Sequence, residues 1–187
     1  MKNLGIIIFL MCFTLLSGCV TMSGNSVSEK RQSVMRMKTE VLTELFELKP
    51  STQSQVANAA GYAVFSNINV NLLIASFGGG YGVVKNNSTG KITYMNMGEV
   101  GLGIGAGLKD FRVVFIFESD DALKRFIQRG WAFGGQVDAA AKLDDKGGAV
   151  AAEVIIDNVT IYQLTKSGLA LQATLKGTKF WLDSELN

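Results

Sequence analysis

The chain has 187 residues, with 18 Lys and Arg against 16 Asp and Glu, 21 Gly, two Cys, one Pro and no His. Without histidine there is no Ser-His-Asp triad, no Cys-His dyad and no His-ligated metal site. A charge balance this close to neutral lacks the strongly basic footprint of a nucleic-acid binder, and 48% apolar against 18% charged residues indicates a folded chain able to bury its own core.

In chain order, Lys2 and the amino terminus form a short positive region, and residues 5–16 are an apolar run of 12. That run is short for a bilayer span and fits the core of a signal peptide. It leads into Leu16-Ser17-Gly18-Cys19, which resembles the lipobox of bacterial lipoproteins. The resemblance implies cleavage before Cys19, a diacylglyceryl thioether on its sulfur and acylation, commonly palmitate, of the new amino terminus. Residues 1–18 are then the signal peptide and 19–25 a lipidated tether. The alternative is an ordinary secretory signal with an incidental cysteine. Val20 stands where Asp would favour the inner membrane, so lipoprotein analogy implies anchoring in the outer membrane, facing the periplasm. Cys12 lies in the leader, which leaves no thiol for a disulfide, a metal or catalysis.

Ser26-x-x-Glu29 is a capping-box pattern. Val34, Met37, Val41, Leu45 and Leu48 follow at helical spacing, and Pro50 ends the run. A second helix is predicted at about 52–60, with Gly61 as its stop. From Tyr62 the period changes to that of strands: 62–65, then 70–77 and 79–85 separated by Gly78-Gly79-Gly80, a turn at 86–90, and 91–97. Residues 100–108 alternate apolar residues with Gly101, Gly103, Gly105 and Gly107, predicting a strand with one bare face. A strand at 111–117, a helix capped by Ser119 and closed by Gly130, a strand at 131–137, a loop at 144–148 and a meander through 152–156, 159–164, 169–175 and 178–182 complete the chain. Its clearest hairpin turns at residues 165–168. The predicted fold is α+β: N-terminal helices, then a mostly antiparallel, glycine-rich sheet with one inserted helix.

Gly61-Tyr-Ala-Val-Phe65, Gly78-Gly-Gly-Tyr-Gly-Val-Val84, Gly98 through Phe117, Phe133 through Ala141 and Ile161 through Leu171 occur in this order. The set resembles the SYLF, or Ysc84-like lipid-binding, family, with the domain at 26–187. The resemblance implies binding of phospholipid head groups, and in some members actin. Two positions depart from the family pattern: Ser66 replaces a frequent proline, and Ala141-Lys142 replaces a frequent Gly-Pro. A periplasmic location would exclude both actin and phosphoinositides, leaving anionic lipid as the expected ligand.

Lys30, Arg31, Arg36 and Lys38 crowd the first half of the first helix, a short distance after Cys19. They are candidates for binding head groups or orienting the domain, since each cation near an anionic surface contributes about 1 kcal/mol. The alternative is a solvated helix face with internal charge pairs. Lys109 and Arg112 are secondary head-group candidates. The Gly101–Gly107 row is a close-approach surface, for a packed element or for an acyl chain. It is not a dinucleotide fingerprint, because its strict alternation opens no helix. No catalytic residue, metal site or cofactor is expected. The expected partners are membrane phospholipid or, alternatively, another envelope protein, with no nucleic acid.

Overall fold

In a computed structural model the chain is described over residues 26–72, 75–102, 107–130, 153–156, 158–165, 168–169 and 178–187. The first helix, α1 (Val27–Leu48), starts where the capping box places it. The Ser26 hydroxyl accepts from the Glu29 amide at 3.2 Å, and the Glu29 carboxylate accepts from the Ser26 amide at 3.1 Å. Pro50 both follows α1 and caps the next helix, α2 (Ser51–Asn58). Gly61 is not the stop of α2. It opens strand β1 (Gly61–Leu72), where a Cβ would run into the Lys85 carbonyl and lie 2.8 Å from Leu123.

Strand β2 (Ala75–Asn86) returns beside β1 in one uninterrupted ladder from Gly61↔Asn86 to Leu72↔Ala75. The break expected at Gly78–Gly80 is therefore absent, and β1 is three times the expected length. The glycines lie inside β2 for lack of room: a Cβ on Gly80 would overlap the Ser66 carbonyl, and one on Gly82 would overlap the Phe65 ring and the Val64 carbonyl. Strand β3 (Ile92–Leu102) unites the segments expected as two strands. Strand β4 (Gly107–Phe117) pairs with β1, not with β3. The single strand predicted for 100–108 is thus the end of one strand and the start of another, with β1 and β2 between them.

Helix α3 (Asp120–Arg129) is capped by the Ser119 hydroxyl, which accepts from the Ala122 amide at 3.3 Å. Two acids occupy its first turn, where the helix dipole favours them. Gly130 ends it with φ +59°. After it come β5 (Glu153–Ile156), β6 (Val159–Thr165), β7 (Gly168–Leu169) and β8 (Thr178–Leu182). The Thr165↔Gly168 pairing confirms the predicted hairpin. The strand expected at 131–137 and the loop at 144–148 lie outside the described residues.

The eight described strands form one antiparallel sheet in the order β5-β6-β4-β1-β2-β3-β8, with β7 beside β6. The fold is therefore the predicted α+β type. Alternation along each strand sends side chains to two cores. On one face α1 and α2 place Val34, Met37, Val41, Leu45 and Val56 against Tyr62, Val64, Val83, Val114 and Tyr162. On the other, α3 places Leu123 and Phe126 against Phe65, Phe115, Phe117 and Phe180. The Phe65 and Phe180 rings meet edge-on at 4.7 Å, and Phe115 and Phe180 at 5.3 Å, the preferred aromatic geometry.

Candidate functional site

The α1 face of the sheet is not filled evenly. Tyr81, Ser66 and Arg112 stand opposite one another on β2, β1 and β4, one cross-strand row beneath the helix. Ser66 is the small member, between two long side chains. Above this row α1 presents Ser33, Arg36, Met37, Glu40 and Val41. Between helix and row lies an open cleft of about 430 Å³, lined by these eight residues. That volume suits a small polar ligand, since such sites span roughly 300–1,000 Å³.

Charge in the cleft is arranged along one stripe of α1. Arg36, Glu40 and Glu44 are spaced four residues apart, so they stack on successive turns. Glu44 reaches down to the sheet and accepts from Nη1 of Arg112 in an ion pair. Both side chains are partly covered, at 23% and 31% exposure, so the pair is better shielded than a surface bridge. The Nε of Arg112 is buried without a hydrogen-bond partner among the described residues. Arg36 and Glu40 are exposed at the rim, and neither forms an ion pair with another described residue.

The other predicted cations lie elsewhere. Lys30 donates to the Glu185 carboxylate at 2.7 and 2.8 Å. Arg31 donates from Nε to the Leu186 carbonyl at 2.9 Å and lies 5.7 Å from the centre of the Tyr94 ring. These two basic residues fasten residues 183–187 to the start of α1. Lys38 is half-buried on the other flank of the helix. Burial, and secondarily Lys85, hold its pKa below the usual lysine value. The backbone places Lys109 on β4 opposite Asn69. Arg36 and Arg112 are thus the two candidates that the fold brings together.

The glycine row has no single location. Gly101 is on β3 opposite Ser76, and Gly107 is on β4 opposite Asn71. Gly103, Gly105 and Cys19 lie outside the described residues. Elsewhere the bare strand positions are covered by protein: the Phe65 ring at Gly82, and the Trp181 ring at Gly98, 3.1 Å from where a Cβ would stand. Among the described residues no cluster of acids or cysteines could hold a metal, and no helix is long and apolar enough to cross a membrane.

Sequence reading missed Ser33, Ser66, Tyr81, Glu40 and Glu44 as parts of a site. One signal was present: the Arg36-Glu40-Glu44 stripe on an otherwise amphipathic helix. The Tyr81-Ser66-Arg112 row depends on strand register and leaves no local trace.

Residues 98–187 match the Ysc84 family model, described as Las17-binding protein actin regulator. The match takes in the end of β3, from Gly98, all of β4 and Arg112, and begins after the other cleft residues. The chain is also 33% identical over 161 residues to beta cell expansion factor A of Aeromonas veronii. That alignment covers 86% of this chain and 60% of the relative, so the chain spans well under the relative's full length. From Gly98 to Asn187 the chain is similar to the Ysc84 family, the one that its ordered motifs resemble.

Proposed function

We propose that the chain is a non-enzymatic, lipid-anchored envelope protein whose SYLF-like domain binds phospholipid through the anionic phosphate of the head group. Cys19 would carry the lipid. The domain would sit on the periplasmic side of the outer membrane, with no actin, nucleic-acid or cofactor partner. The observation that carries the reading is the cleft itself. Arg36 and Arg112, far apart in sequence, line one opening together with three hydroxyl-bearing residues, Ser33, Ser66 and Tyr81. Guanidinium and hydroxyl donors are the groups that bind phosphate oxygens.

The test is co-sedimentation with phospholipid vesicles of a soluble chain beginning at Val20, which keeps every described element. Arg36→Gln should weaken binding several-fold, because it removes an exposed cation that no described residue pairs. Lys30→Gln should change it little, because Lys30 is already held by Glu185. Equal loss in both variants, or none in either, refutes the cleft as the head-group site.

A second reading has its own observation. At the sheet edge β8 exposes Trp181 and Leu182, at 42% and 47%. Exposed aromatic and aliphatic side chains on an edge strand suit a protein partner. Under this reading the domain docks on another envelope protein and binds no free lipid. Cross-linking in cells would then yield one dominant protein partner, and vesicles would not compete for it.

A further inference from the structure

We infer that, against the anionic lipid expected from the sequence, the cleft selects a zwitterionic head group, a phosphodiester joined by a short carbon bridge to a primary ammonium, over a head group of net negative charge. This rests on the head-group reading above and specifies its ligand. Its ground is the charge around the opening. Two arginines, Arg36 and Arg112, are matched by two acids, Glu40 and Glu44. Glu44 already engages Arg112, which leaves one cation and one anion at the rim, Arg36 and Glu40, on successive turns of α1.

A purely anionic ligand meets Arg36 favourably but brings its phosphate up to the Glu40 carboxylate. No group on such a ligand offsets that repulsion. A phosphoethanolamine-type head group places its phosphate at Arg36 and its ammonium at Glu40. Its two-carbon bridge separates the charges by a distance comparable to the rise of one helical turn, about 5.4 Å. The phosphate retains the hydroxyls of Ser33 and Ser66 on the cleft wall.

The same geometry disfavours a quaternary amine. A trimethylammonium cannot donate a hydrogen bond to Glu40, and its usual receptor is a cage of several aromatic rings. Tyr81 is the one aromatic residue lining this cleft.

The experiment uses the full chain in a non-ionic, phosphate-free detergent, so that the anchor is already satisfied and contributes equally to every measurement. Glycerophosphoethanolamine, glycerophosphocholine and glycerophosphoglycerol are titrated in turn, with ³¹P NMR line broadening as the readout. The ethanolamine compound should bind roughly three- to fivefold more tightly than the other two, the worth of one exposed ion pair. Glu40→Gln should abolish that preference while leaving glycerophosphoglycerol binding no weaker. Arg36→Gln should weaken all three. Tighter binding of glycerophosphoglycerol by the unaltered chain, or a preference that survives Glu40→Gln, overturns the inference and leaves phosphate recognition standing. Absence of binding by all three removes the head-group reading and this inference together.

Discussion

Lys38 shows how a single side chain on α1 carries an energetic cost. It is half-buried, and both desolvation and the nearby Lys85 disfavour its charged form. A lysine whose folded pKa is lowered holds fewer protons when folded than when unfolded. Between its folded pKa and the ordinary lysine value of 10.5 the unfolded chain binds the extra proton, so stability rises with pH across that window. Below the window the full cost is present. Replacing Lys38 with Met removes it, so K38M should be more stable than the parent near neutral pH. That advantage should shrink as pH climbs toward 10.5. Tyr62 acts in the opposite direction at higher pH, because burial raises its pKa above 10.0, and ionisation then favours the unfolded chain. Urea titrations of parent and K38M in parallel cancel the Tyr62 contribution. An advantage that stays constant with pH would show that Lys38 carries no such cost. Lys38 and Lys30 read alike in sequence, as cations on a basic half-helix. Their fates differ because Lys30 meets a carboxylate and Lys38 meets another lysine, and neither partner is local.

Among the elements, the segment 183–187 has the most influence for its length. Asp183 is 5% exposed, and its Oδ1 accepts from the amides of Glu185 and Leu186 at 2.8 and 2.9 Å. Asn187 exchanges hydrogen bonds with the backbone of Tyr94, through its Oδ1 at 2.9 Å and its Nδ2 at 2.8 Å. The resulting turn buries Leu186 among the α1 core residues and holds the start of α1 through Lys30 and Arg31. Asp183→Ala leaves two amides without their acceptor and should cost about 1–3 kcal/mol. Glu185→Gln, at an exposed pair, should cost about 1 kcal/mol or less. Equilibrium urea unfolding of the two variants reads the difference, and equal costs would mean that the turn does not depend on Asp183. This segment also marks how far sequence reading reached. The three helices were legible because their signals are local: Ser26 with Glu29, Pro50, Ser119 with its two acids, and Gly130. Strand number and pairing were not. Gly78–Gly80 looked like a break because glycine weakens an isolated strand, whereas here it admits the backbone and side chains of β1. Strand β8 read as the last strand of a meander, yet it crosses to the far edge beside β3, through contacts that no local pattern records. The cleft was half legible. Arg36 and Arg112 were both candidates, but their meeting required the register Tyr81↔Ser66↔Arg112.

At the scale of the whole molecule, a sheet covered by α1 and α2 on one face and by α3 on the other leaves the α1 flank as the place where polar side chains line a concave surface. The position of that flank relative to a membrane follows from chain length. Seven peptide steps separate Cys19 from Ser26 and reach at most about 25 Å when extended. Arg36 stands nine residues into α1 from Val27, about 14 Å along its axis. If Cys19 is lipidated, the cleft is therefore always within a few nanometres of the head groups, and head-group binding would hold it against them. The chain suits a direct measurement, because cleavage before Cys19 and a thioether on its sulfur would leave the mature sequence without a free thiol. A single cysteine placed at Ser33, on the cleft wall, can be compared with one at Ser88, in the exposed turn between β2 and β3. Each carries a fluorophore on the lipidated protein in vesicles whose head groups bear a quencher. The Ser33 label should be quenched more strongly than the Ser88 label, and Arg36→Gln should narrow the gap by releasing the cleft from the surface. Equal quenching at both positions would mean that the domain tumbles freely on its tether, and the cleft would then have no preferred orientation toward the bilayer.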